Sequence, residues 1–177
     1  MRADSTLLPR AITGLSGHWD CATHSSSPSS RHDPGYHLHK RCGEEYWEEI
    51  NRGAAGANYG WPVHEGVAND PPYVDPIFAY GHGSTETTGC AITGGTFYPP
   101  TSTLFPQEEY EGDYFFADFC SGWMRRLDPS TGAVSGFATG LERPIDLEVS
   151  QAGEFYYLSR SSTGIPAIVG KIGYAGT

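Results

Sequence analysis

Long apolar runs are missing from this chain: no stretch of about 18 apolar residues exists, so no segment reads as a membrane-spanning helix. A basic excess is missing too. Eleven Lys and Arg stand against 21 Asp and Glu, a net charge of −10. Without a basic patch the chain is a poor partner for a phosphate backbone, so nucleic-acid binding is excluded. Apolar spacing of three and four residues is not sustained anywhere, which argues against a helical bundle. Met1-Arg2-Ala3-Asp4-Ser5 lacks the apolar core of a secretory signal peptide. Phosphate loops are absent as well, because Gly94-Gly95 is followed by neither Lys-Ser/Thr nor a helical pattern.

Turn formers and aromatics are plentiful instead. The 177 residues hold 23 Gly, 13 Pro and 23 Phe, Trp and Tyr together. Many turns and many large rings favour short strands over helices. The most ordered stretch is Gly112-Asp113-Tyr114-Phe115-Phe116-Ala117-Asp118-Phe119-Cys120-Ser121-Gly122, running on to Trp123-Met124-Arg125-Arg126-Leu127-Asp128. It reads as two strands about a turn, closed by Asp128-Pro129-Ser130-Thr131-Gly132. Gly153-Glu154-Phe155-Tyr156-Tyr157-Leu158 repeats its opening, with leading glycines 41 residues apart. A period of about 40–50 residues with several strands per unit is that of propeller blades.

Charge and composition break at residue 43. Residues 1–43 carry +2, five of the seven His and two of the 23 aromatics, whereas 44–177 carries −12. Two domains are expected: 1–43 as a low-complexity segment, disordered or translated from a shifted reading frame, and 44–177 as the folded part. Ser25-Ser26-Ser27-Pro28-Ser29-Ser30 cannot bury enough apolar surface to offset its ordering entropy. A one-nucleotide shift across Leu38–Cys42 would permit a strand-like sequence leading into Gly43. His32, His37, His39 and Cys42 suggest zinc ligands, but their spacing fits no closed structural site.

Downstream, Glu44–Asn51, Pro76–Tyr80 and Cys90–Tyr98 read as strands. One four-strand unit is expected over Cys90–Tyr98, Asp113–Phe119, Trp123–Asp128 and Ala133–Ala138. Ile145, Leu147 and Val149 are expected on one face of the next strand, followed by Phe155–Ser159 and Gly170–Tyr174. In Asn58-Tyr59-Gly60-Trp61-Pro62 the two rings are expected to pin a loop to the core. His82, between two glycines, is a lone candidate general acid or base. Asp113 and Asp118 read as turn or capping carboxylates. Cys90 and Cys120 begin one strand and end its antiparallel neighbour, so a disulfide is sterically feasible and implies an oxidising compartment. Cys21 and Cys42 receive no assignment.

From residue 44 the chain resembles the glucose/sorbosone dehydrogenase family, the soluble sugar dehydrogenases that use pyrroloquinoline quinone (PQQ). The resemblance lies in Tyr46-Trp47-Glu48-Glu49-Ile50-Asn51, Asn58-Tyr59-Gly60-Trp61-Pro62 with Glu65-Gly66, and Ala91-Ile92-Thr93-Gly94-Gly95. It continues in Gly112-Asp113-Tyr114-Phe115-Phe116-Ala117-Asp118 and Arg143-Pro144-Ile145-Asp146-Leu147, in the family's order. It implies an all-β, six-bladed β-propeller, of which this chain would be the C-terminal two to three blades, the N-terminal blades being missing partners.

The resemblance further implies oxidation of an aldose sugar with PQQ, assisted by calcium, in an extracellular or periplasmic setting. Arg143 matches a quinone-facing Arg whose guanidinium could fork onto a PQQ carboxylate. Thr93 matches a hydroxyl near the quinone. Cys120 stands where the family has a Lys, and the subgroup with Cys before Thr-Gly-Gly supports a Cys90–Cys120 bridge. The family's catalytic His has no counterpart here, so no catalytic residue is assigned and an inactive fragment is expected. The alternative is a non-catalytic propeller that binds carbohydrate or protein.

Overall fold

The computed structural model describes residues 38–43, 45–99, 104–162 and 164–173. Its strands are β1 (Leu38–Cys42), β2 (Trp47–Arg52), β3 (Phe78–Gly81), β4 (Ile92–Phe97), β5 (Tyr114–Asp118), β6 (Met124–Leu127), β7 (Val134–Ala138), β8 (Pro144–Val149), β9 (Phe155–Ser159) and β10 (Val169–Ile172). One helical turn, α1 (Gln107–Tyr110), precedes β5. Every ladder is antiparallel: β1-β2-β3 form the first sheet, β4-β5-β6-β7 the second and β8-β9-β10 the third.

The four-strand unit expected from the sequence is the second sheet. Its strand β5 is buried along its whole length, and alternation explains why. Tyr114 and Phe116 point to a cluster with Leu38, Ile50, Tyr80, Ile92, Trp123 and Leu127. Phe115 and Ala117 point the opposite way, into a cluster with Tyr98, Phe105, Leu147, Phe155 and Tyr157. A strand apolar on both faces must be covered on both faces. The first and third sheets supply those covers, and such face-to-face stacking of small antiparallel sheets is part of a β-propeller.

Gly112 and Gly153 occupy equivalent places. Both have positive φ, 79° and 87°, and each leads into the second strand of its sheet. The turn after β6 also follows its sequence. Asp128 accepts hydrogen bonds from the Ser130 amide (2.8 Å), the Ser130 hydroxyl (2.6 Å) and the Thr131 hydroxyl (2.8 Å). Those bonds, the Ser130 hydroxyl first, hold its carboxyl below the usual range.

Three expectations are corrected. The polar segment ending at residue 43 is not unstructured to its end, because β1 lies inside it. Lys40 pairs with Ile50 and Cys42 with Glu48, and Leu38 is fully buried, so ladder and core outweigh local polarity. Ile145 does not share the inner face with Leu147: the ladder slips between Pro144 and Asp146, and this bulge leaves Ile145 39% exposed. Trp61 does not pin its loop, being 56% exposed. Tyr59 does so instead, its hydroxyl donating to the Arg52 carbonyl (2.7 Å) and accepting from the Ala54 amide (3.0 Å).

Candidate functional site

Chain ends from three strands meet around Asp118, the last residue of β5. Its carboxylate is fully buried and accepts from the amides of Cys90 (2.9 Å), Ala91 (3.0 Å), Cys120 (2.9 Å) and Ser121 (2.8 Å). The Tyr80 hydroxyl of the first sheet adds a fifth bond at 2.9 Å. Asp118 therefore does more than cap its own turn. It gathers the start of β4, the end of β5 and the edge strand β3. The same convergence sets Cys90 and Cys120 with Cα atoms 5.6 Å apart, joined as a disulfide.

Arg143 stands at the entrance to β8, on the neighbouring sheet. Its backbone is left-handed, with φ 43°, and its carbonyl accepts the Arg160 amide at 3.0 Å. Left-handed backbone is costly for a residue with a Cβ, so the surrounding bonds must hold it there. The exposed side chain lies over the Phe119 ring, 5.6 Å from guanidinium carbon to centroid. Among the described residues no carboxylate pairs with that guanidinium. Thr93 of β4 approaches the same strand entrance: its hydroxyl donates to the Pro144 carbonyl at 2.7 Å. The structure thus brings Thr93 and Arg143 together, along with Phe119 and the Cys90–Cys120 bridge.

The arrangement offers an anion one open cation above an aromatic face. An exposed guanidinium of this kind is a ready partner for a carboxylate. Thr93 fits less simply, because its one proton is already given to Pro144 and only its lone pairs remain. Cys120 is locked in its disulfide and supplies no charge. Among the described residues no group of three or more His, Cys, Asp or Glu is placed to hold a metal ion. Asp113, the other carboxylate singled out from sequence, forms an ion pair with Arg126 at 3.3 Å.

His82 has a partner that the sequence did not reveal. Its Nε2 lies 2.8 Å from Oε1 of Glu48, a fully buried residue of β2. The other carboxylate oxygen accepts the Ile92 amide at 2.8 Å. The pairing of β2 with β3, which sets Glu48 opposite Tyr80, was the only available signal, and it needs the sheet. His39 packs edge-on to Tyr59, with centroids 4.6 Å apart, and no described cysteine is free, Cys42 included. His32, His37 and Cys21 lie outside the described residues.

No family model matches the sequence. Among curated proteins the chain is similar to the HIPL1 protein of Arabidopsis thaliana, 31% identical over 114 residues, covering 55% of this chain and 16% of that protein. It is also similar to the HIPL2 protein of the same plant, 29% identical over 126 residues, covering 63% and 17%. The chain therefore spans about a sixth of the length of these curated relatives. Solved structures are more extensively alike. The PQQ-bound aldose sugar dehydrogenase of Streptomyces coelicolor aligns with a TM-score of 0.61 at 17% identity, over 83% of this chain and 41% of that one. The soluble aldose sugar dehydrogenase of Escherichia coli, in its apo form, aligns with a TM-score of 0.59 at 20% identity, over 77% and 40%. At such identities the likeness is one of fold: this chain has part of the β-propeller fold seen in those aldose sugar dehydrogenases.

Proposed function

We propose that the chain is part of a glucose/sorbosone dehydrogenase-type propeller, an oxidoreductase of aldose sugars at the level of the whole protein, and that these 177 residues alone are inactive. The observation that carries this reading is the meeting of Arg143 and Thr93 at the entrances of β8 and β4. When bound, PQQ would accept the hydride of sugar oxidation, while the protein supplies orientation and charge. Arg143 would hold a quinone carboxylate, and Thr93 would fix the backbone on which Arg143 stands. Calcium would have to be held elsewhere in the whole protein, as would the base.

The Cys90–Cys120 disulfide supports an extracellular or periplasmic setting, since such bonds persist where thiols are not kept reduced. Cys120, standing where the resemblance leads one to expect a Lys, favours a second reading, a non-catalytic propeller that binds carbohydrate or protein, because it leaves no cation there.

Two measurements separate these readings. The purified chain with aldose, PQQ, calcium and an electron-accepting dye is expected to give no dye reduction; reduction would overturn its inactivity. PQQ titrated against the chain and followed by tryptophan fluorescence is expected to bind, and Arg143→Ala to weaken binding about tenfold, the loss of one charge-assisted bond. Absence of binding, or equal binding by both proteins, would favour the non-catalytic propeller.

A further inference from the structure

The contact between the first and second sheets contains a charge-bearing group where an apolar one would be expected. Glu48 is fully buried, yet one carboxylate oxygen reaches the Ile92 amide of the next sheet and the other reaches His82, both at 2.8 Å. His82 is the solvent-facing end of the pair, its side chain 28% exposed. We propose that Glu48 and His82 form a proton-sensitive clasp between the first and second sheets, tight while the pair holds a proton and loosened when that proton leaves.

Hydrogen-bond chemistry gives the direction. A protonated Glu48 can donate to the Nε2 lone pair of His82 while its other oxygen still accepts from Ile92. Both contacts survive and no net charge is buried. Loss of the proton leaves a buried carboxylate beside a second one, Asp118. The groups facing the pair are Lys40 on β1, buried on the same sheet face as Glu48, Asp118 at the end of β5, Tyr80 on β3, whose hydroxyl goes to Asp118, and Arg125 on β6, which interacts electrostatically with both Tyr80 and Asp118. Arg125 also donates to the Glu86 carbonyl and makes no ion pair with Glu48 among the described residues.

Burial, above all, pushes the Glu48 carboxyl up to about 7; the Ile92 amide and His82 oppose the rise, and Asp118 adds to it. A carboxyl raised by folding stabilises most below its unfolded value of 4.5, and that contribution is lost as pH rises to about 7. The clasp is therefore strong in mild acid and weak above neutrality.

The test is hydrogen exchange of the Ile92 amide in the full chain at a series of pH values, expressed as a protection factor. Between about pH 5 and 7.5 protection at Ile92 should fall on the order of a hundredfold and then level off. The Tyr157 amide, in β9, should fall far less. Glu48→Gln, which mimics the protonated carboxyl, should keep Ile92 protected and flatten its profile. His82→Gln, which removes the imidazole that opposes the rise at Glu48, should move the midpoint to higher pH. A parallel fall at Ile92 and Tyr157 in the unaltered chain would overturn the clasp even if Glu48→Gln fails to fold. So would an unchanged profile in Glu48→Gln or an unmoved midpoint in His82→Gln.

Discussion

Thr93 gives its hydroxyl proton to the Pro144 carbonyl across 2.7 Å, tying the first strand of one sheet to that of the next. Removing it while keeping the shape, as in Thr93→Val, leaves a carbonyl beside Arg143 without that donor. Destabilisation of about 1–2 kcal/mol is expected. Thr93→Ser should recover most of it. Urea unfolding midpoints of the three proteins decide the matter, and equal midpoints would deny the bond any role.

Cys90 and Cys120 close a loop with a sequence separation of 30. Loop-closure entropy for that length corresponds to about 3–4 kcal/mol. The double variant Cys90→Ser with Cys120→Ser should lose stability of that order, measured by urea unfolding. The Asp118 bonds to both segments should keep it folded in the absence of denaturant.

Gly94 has a φ of 58°, and a Cβ there would strike the Leu147 side chain and backbone. Both the left-handed backbone and the contact penalise any other residue. Gly94→Ala is expected to cost about 2–4 kcal/mol by thermal or urea unfolding. Gly136, exposed and with nothing near its Cβ position, is the control, and alanine there should change stability by well under 1 kcal/mol.

Lys40 is only 4% exposed and makes no ion pair among the described residues. Burial lowers its ammonium to about 8, with Asp146 opposing the fall. Between pH 8 and the unfolded value of 10.5 the unfolded chain binds the extra proton, so stability rises with pH through that window. Below pH 8 the penalty is fully present. Lys40→Met, close in volume, should therefore stabilise the chain at pH 7 by about 1–3 kcal/mol, with the gain fading towards pH 10.5. Urea unfolding at pH 7 and pH 10 checks the sign.

Much of the fold was legible residue by residue. Phe115 and Phe116 are adjacent and both apolar, a pattern that suits a strand covered on two faces, and β5 is such a strand. The Asp128–Gly132 turn carries its own acceptor, donors and glycine, so it forms from local contacts alone. The Cys90–Cys120 proximity followed from antiparallel neighbours. Ile145 was misplaced because a bulge changes facing without leaving a mark in the alternation around it. Trp61 was misplaced because its neighbours do not reveal whether anything lies above the loop.

The short strands, their turns and the 41-residue recurrence are local properties of the chain, since dihedral preference and two-residue alternation act over a few neighbouring positions. Which polar groups meet depends instead on the packing of distant segments. Thr93 and Pro144 are 51 residues apart, Glu48 and Ile92 44, and His82 and Glu48 34. Such contacts depend on how one sheet stacks on the next, and that stacking is set by the summed burial of rings such as Phe116 and Phe155, which no local pattern reports.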